Sequence, residues 1–140
     1  MITWNNLDKL ASFQELLDAK RVNLAEVMAG ENGAERVKKY SVPMAEGLAF
    51  NYGAKQVDDA VLEVLAKLAE EAQLTEKYEA LYNGEVINTG EKRLVLHQLT
   101  RGQLGEDVVA DGVNKRDFYV EQQTKIAEFA NKVHAGEITN

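Results

Sequence analysis

Apolar residues along the chain recur mostly at intervals of three and four. Leu7, Leu10, Phe13, Leu16 and Leu17 share one face at this spacing, and Leu24, Val27 and Met28 add a shorter turn, so the first forty residues read as helix. Gly30 is placed to end that second stretch. Residues 31–40 predict another short helix with Ala34, Val37 and Tyr40 as its apolar side. Pro43, the only proline, interrupts helical structure and pushes the residue before it towards extended geometry. From Leu48 to Tyr52 the period drops to two, with Leu48, Phe50 and Tyr52 on one side, which predicts a short strand closed by Gly53.

The clearest element follows. Val57, Ala60, Val61, Val64, Leu65, Leu68, Ala69 and Ala72 make an unbroken stripe at helical spacing, and Asp58 and Asp59 fall in the first turn, where the helix dipole favours negative charge. Residues 74–81 predict a second helix stopped by Asn83-Gly84. Val86-Ile87-Asn88 reads as extended, and Leu94 to Leu99 as a short helix. Residues 100–105 make a polar connection, and Val108-Val109-Ala110 a short strand turned by Asp111-Gly112. The last prediction is a long helix over 114–135, with Tyr119, Ile126, Phe129, Ala130 and Val133 inward and Gly136 as its stop, followed by a polar end over 137–140. The expected fold is mainly α with two or three short strands. Strands this short need partners. Either they pair locally, or their partners lie beyond residue 140, which would make the chain incomplete.

Composition narrows the class. The 45% apolar and 28% charged fractions over 140 residues are those of a globular protein of one-domain size. No apolar run approaches the ~20 residues needed to cross a bilayer, and the start has neither the basic head nor the apolar stretch of a signal peptide. Cysteine is absent, which excludes disulfides, thiolate metal sites and Cys nucleophiles within these residues. A cytoplasmic protein is expected. A net charge of -7 disfavours nucleic acid and anionic membrane as partners, although a small phosphorylated substrate needs only a local cluster of donors.

The candidate chemistry is thin. The glycine pairs 30/33, 84/90 and 102/105 fit no phosphate-loop motif and read as turns. His97 and His134 have no second ligand at metal spacing, and His134 falls near a helix end where it complements the dipole in solvent. Glu70-Glu71 reads as a solvated helix end. Residues 83–101 differ, because Asn83, Glu85, Asn88, Glu91, Lys92, Arg93, His97 and Arg101 alternate there with apolar residues. If 91–101 is helical, Arg93, His97 and Arg101 line one face that could attract an anion, with Glu91 orienting Arg93 or His97. The other reading is a solvated face with an Arg–Glu pair holding a loop, and the abundance of polar helix stripes favours it.

Asn83-Gly84-Glu85-Val86-Ile87-Asn88 followed by Glu91-Lys92-Arg93-Leu94-Val95-Leu96-His97 resembles the N-G-E-x-I-N-x-x-E-x-R-x-V-L-H stretch of glucose-6-phosphate isomerases. The strand at Leu48–Tyr52, the Val57–Ala69 spacing and the Phe129–Gly136 helix end are similar to the same family, so the resemblance runs from about residue 36 to residue 136. Two departures stand out. Gly90 takes the place where members carry Thr before the Glu, and Leu99-Thr100-Arg101 replaces an Ala-Leu-Arg run.

The resemblance implies a cytoplasmic, homodimeric enzyme of glycolysis and gluconeogenesis. Such an enzyme interconverts glucose 6-phosphate and fructose 6-phosphate through an enediol, without cofactor or metal. It further implies that residues 1–140 are the N-terminal helical segment of an α/β parent built from two sugar-isomerase (SIS) domains. The phosphate loop, base and ring-opening residues of that parent have no match here, so the segment alone is expected to be inactive. By the same resemblance Asn83, Gly84, Glu85, Asn88, Glu91, Arg93 and His97 are expected to give structural support rather than touch substrate. A stand-alone helical interaction or dimerisation module is the competing expectation.

Overall fold

The computed structural model describes residues 1–102 and 105–139. Part of the expected 100–105 connection and the final residue therefore lie outside the described residues. About half of the described residues are helical, with three two-stranded antiparallel sheets between the helices. The chain divides into two compact units, one of residues 5–72 and one of residues 1–4 with 73–140.

The unit of residues 5–72 begins with a 3-10 turn, Leu7–Lys9, and then α1, Ala11–Asp18. Leu10 stands at the N-cap of α1 and supplies no capping side chain. The orphan donors of that first turn find a distant acceptor instead. Ala11 and Ser12 N–H donate to Glu71 at 3.0 and 2.9 Å, and the Ser12 hydroxyl donates to the same carboxylate. Glu71, expected as a solvated end, thus caps α1. Its pKa is held below the ordinary Glu value by the Ser12 hydroxyl first and the two N–H donors next.

Asn23 caps α2, Leu24–Val27, and α3 follows at Gly30–Lys39. Gly30 opens α3 rather than ending α2. The buried side of α3 is Gly33, Arg36 and Tyr40, whereas Ala34 and Val37, expected inward, are exposed. Two strands then pair as a hairpin: β1, Ser41–Ala45, and β2, Leu48–Asn51, with Val42 opposite Phe50. Pro43 sits inside β1, where a two-stranded ladder leaves room for a residue without an N–H.

The fourth helix, α4, Asp59–Glu71, starts where Asp58 accepts the Val61 N–H at 2.9 Å, an N-cap onto the third helical residue. Leu10, Val22, Tyr40 and Val61 are the buried apolar residues of this unit. Lys39 bridges to Asp59 at 2.5 Å and the Tyr40 hydroxyl donates to it at 3.1 Å. These contacts raise the Lys39 pKa and lower that of Asp59.

The other unit starts at Gln73, a non-glycine residue in the left-handed region at φ 53°. Its side-chain oxygen accepts the Thr3 N–H and hydroxyl at 2.8 and 2.9 Å, which ties residues 1–4 to this unit. Here α5, Leu74–Tyr82, leads into β3, Val86–Asn88, paired with β4, Arg93–Leu94. A 3-10 turn at His97–Thr100 replaces the helix expected from 94. The Asp111-Gly112 turn joins β5, Val109–Ala110, to β6, Val113–Asn114, as expected. Finally α6 spans Lys115–His134, with Asn114 accepting the Arg116 N–H as its cap.

Among the described residues all six strands pair locally within the chain, the first of the two expected alternatives. The expected inward face of α6 is corrected too. Tyr119 and Ala130 are half-buried, but Ile126, Phe129 and Val133 are 68%, 59% and 45% exposed. Gln123 donates to the Thr100 carbonyl at 2.8 Å, and past it α6 makes no described side-chain hydrogen bond to another element.

Candidate functional site

Of the residues singled out between 83 and 97, Asn83, Gly84 and Glu85 form the C-terminus of α5, and Asn88, Glu91, Arg93 and His97 lie in the hairpin and turn that follow. A helix end leaves four carbonyls without intrahelical partners, and each needs a donor. Here all four have one. Asn83 N–H donates to Glu79 at 2.9 Å, Glu85 N–H to Ala80 at 2.9 Å and Gly84 N–H to Leu81 at 3.2 Å. Arg116 Nη2, from α6, donates to Tyr82 at 3.2 Å. Gln98 Nε2 adds a second donor to Leu81 at 2.7 Å.

The crossed pair from Gly84 and Glu85 is a Schellman motif, which requires a left-handed residue between cap and strand. Gly84 supplies it at φ 71°. A second constraint acts at the same atom. A Cβ on Gly84 would stand 2.9 Å from Val108 Cγ2 and nearer still to Cγ1, and Val108 is only 3% exposed. Arg116, itself 3% exposed, also donates through Nε to the Glu106 carbonyl at 2.5 Å, so one guanidinium ties the α5 terminus to residues 105–108. Its positive charge lies where the dipole of α5 is negative.

From this knot the β3–β4 hairpin projects. Asn88 Oδ1 accepts the Glu91 N–H at 3.2 Å and its Nδ2 donates to the Glu91 carboxylate at 3.3 Å, which closes the loop from within. Lys92 takes the left-handed residue of the turn at φ 54°. Glu91 and Arg93 pair at 3.6 Å, but their side chains are 63% and 76% exposed. His97 opens the 3-10 turn with its side chain exposed, and its carbonyl accepts the Thr100 hydroxyl at 2.8 Å. The adjacent Leu99 is 2% exposed and anchors that turn.

The helix over 91–101, and with it the stripe of Arg93, His97 and Arg101, is therefore not formed. Arg93 lies in a strand, His97 begins a different element and Arg101 follows it. Cross-strand pairing of Leu94 with Val86 takes Arg93 and Leu94 out of helical geometry. An Arg93–Glu91 pair does form, but within the hairpin and exposed, so it does not hold the loop against the rest of the protein as expected. Asn83, Gly84 and Glu85 act through backbone geometry, as cap, left-handed turn and crossed bond, and Asn88 through its side-chain amide, as loop closure.

The chemistry open to this arrangement is limited by water. An acid–base group needs a dry setting to move its pKa towards neutrality. Glu85, Glu91, Arg93 and His97 are all exposed. Beside the hairpin lies a groove of about 170 Å³ lined by Trp4, Leu74, Lys77, Tyr78, Leu81 and Ile87, in which Lys77 covers the Trp4 ring at 5.3 Å. That lining is apolar apart from one ammonium, a poor match to the several donors a phosphate requires. Among the described residues no group of three His, Cys, Asp or Glu side chains is placed to hold a metal ion. No described helix is long and apolar enough to cross a membrane.

Two residues that matter here, Gln98 and Arg116, escaped the sequence reading, and Val108 was read only as part of a short strand. Each acts on residues ten or more positions away, and nothing in the local pattern marks it.

A family model described as phosphoglucose isomerase matches residues 51–140. The glucose-6-phosphate isomerase of Treponema denticola is 52% identical over 140 residues, which cover 96% of this chain and 27% of that protein. That of Treponema pallidum strain Nichols is 40% identical over 139 residues, covering 96% and 26%. That of Shewanella woodyi is 41% identical over 107 residues, covering 76% and 19%. The chain thus spans about a quarter of the length of the curated relatives it matches most fully.

Proposed function

The chain belongs to the phosphoglucose isomerase family, and from that membership we propose that it serves as the N-terminal part of a glucose-6-phosphate isomerase. The whole enzyme interconverts glucose 6-phosphate and fructose 6-phosphate, as a homodimer of SIS-domain subunits in the cytoplasm, in glycolysis and gluconeogenesis. The observation that carries the reading is similarity across nearly the whole chain to proteins about four times its length.

In this reading the 140 residues supply a folded support and no chemistry of their own. Aldose–ketose isomerisation needs a base within hydrogen-bond reach of the C1 and C2 protons and a set of donors on the phosphate. Asn83, Gly84, Glu85, Asn88, Glu91, Arg93 and His97 build the helix end and hairpin of that support. Their placement at a capped terminus and a solvent-facing turn favours this role over substrate contact.

The test is a glucose 6-phosphate to fructose 6-phosphate assay on two proteins: the purified 140-residue chain, and the full product of the same gene read as far as its natural stop. Turnover only in the second supports the proposal. Turnover by the 140 residues alone overturns it. A natural stop at codon 140 favours the second reading, a stand-alone helical interaction module, for which the exposed Ile126, Phe129 and Val133 of α6 speak.

A further inference from the structure

Arg36 is the buried cation of the unit of residues 5–72, at 8% exposure. A guanidinium taken out of water needs compensation for its charge. Among the described ion pairs none involves Arg36. The compensation comes from backbone. Nε donates to the Gly53 carbonyl at 2.7 Å, and Nη2 donates to Lys55 and Val57 at 2.9 and 2.5 Å. The Tyr40 ring lies 4.5 Å from the guanidinium carbon and adds its negative face.

Three alternate carbonyls of one short segment thus converge on one planar fork. That segment has no ladder of its own, since β2 ends at Asn51 and α4 starts at Asp59. Its ends are held by α3 as well. Asn51 donates to the Val37 carbonyl at 2.6 Å, and Asp59 takes Lys39 and the Tyr40 hydroxyl. Between these ends Arg36 alone among the described side chains of α3 hydrogen-bonds to residues 53–57.

We propose that residues 53–57 form a strap whose closed course is conditional on a guanidinium, so that it opens as a local unit when the fork is lost or displaced. The three-carbonyl socket is specific for that cation's shape. An ammonium carries three donors too, but on one nitrogen, whereas these carbonyls are served from two nitrogens of a rigid plane.

Native-state hydrogen exchange on the 140-residue chain tests this. The strap reporters are Gly53 N–H, bonded to Asn51 Oδ1, and Lys55 N–H, bonded to the Tyr52 carbonyl. The reference is Ala72 N–H, bonded to Leu68 within the same unit. In the unmodified chain the strap amides should exchange through an opening that does not expose Ala72. Arg36→Lys should speed both strap amides by about tenfold or more, the scale of one lost charge-assisted bond, with Ala72 unchanged. In Arg36→Ala, millimolar methylguanidinium should restore their protection and methylammonium should not. The proposal is overturned if the strap amides exchange only together with Ala72, if Arg36→Lys keeps full protection, or if methylammonium rescues as well as methylguanidinium. Should Arg36→Ala fail to fold, the unmodified chain and the lysine variant still decide.

Discussion

Replacing Gly84 by Ala adds one methyl group and offends two independent constraints. The first is conformational: φ is 71°, and the left-handed region costs a residue with a Cβ about 1–2 kcal/mol. The second is steric. The new Cβ would overlap both methyl groups of Val108, a side chain 3% exposed, and overpacking of that kind costs about 1–3 kcal/mol. Partial relaxation of one relieves the other, so we expect a loss of about 2–4 kcal/mol, a large share of a typical domain's 5–15 kcal/mol. Gly112→Ala is the internal control. It stands at φ 73°, in the same region, with nothing within 4 Å of the added Cβ, so it carries the conformational cost alone. Urea unfolding followed by Trp4 fluorescence reads both variants, because Trp4 and both glycines belong to one compact unit. The difference between the two should be about 1–3 kcal/mol and should shrink when Val108 is also replaced by Ala. Equal costs for Gly84→Ala and Gly112→Ala, or no relief from Val108→Ala, would refute the steric half of the reasoning.

Arg116→Lys keeps the charge at the α5 terminus but cannot span the Tyr82 and Glu106 carbonyls as the fork does; we expect a loss of about 2 kcal/mol in urea unfolding, and a change under about 0.5 kcal/mol would show that charge alone matters. Leu99→Ala removes a side chain 2% exposed and should cost about 2–4 kcal/mol by the same measurement. Glu71 carries a pH signature: its folded pKa lies below the unfolded value, so its contribution is complete above the ordinary carboxylate range and is lost as pH falls through the folded pKa. Glu71→Gln should therefore be less stable than the parent chain at neutral pH, with the gap closing on acidification, and a gap independent of pH would count against the cap on α1.

Legibility followed the reach of the interaction. The α4 stripe, its Asp58 start, the Asp111-Gly112 turn and the Asn83-Gly84 stop all lie within a few residues of what they determine, and each was readable. The loop closure of Asn88 on Glu91 is as local, yet the sequence reading gave Glu91 to Arg93 or His97 instead. Longer-range pairing decided the failures. The run from Leu94 to Leu99 has an apolar density that suits helix or strand, and pairing of Leu94 with Val86 chose for its first residues. Pro43 did end helical structure and extend Val42 before it, but the strand around it depends on pairing with residues 48–51 and was not read. On α3 the apolar residues suggested a face through Ala34 and Val37, but Arg36 found three carbonyls 17 to 21 residues away and took the buried side. Glu71 looked solvated because its partners stand 59 and 60 residues earlier.

The stretch that resembles the family's motif is also the stretch that terminates α5 and forms the hairpin after it. Gly84 is required by sign of φ and by the proximity of Val108, Asn88 by two hydrogen bonds to one residue, and Asn83 and Glu85 lend backbone N–H groups to the last turn of the helix. Such demands admit few residue types at fixed spacing, which is the form a sequence motif takes. A catalytic group must meet the opposite demand. It needs a dry site, whereas the side chains of Glu91, Arg93 and His97 are exposed in this chain. The motif therefore argues for membership through architecture. An Arg93→Ala or His97→Ala variant of a longer, active protein bears on whether that architecture also reaches the substrate.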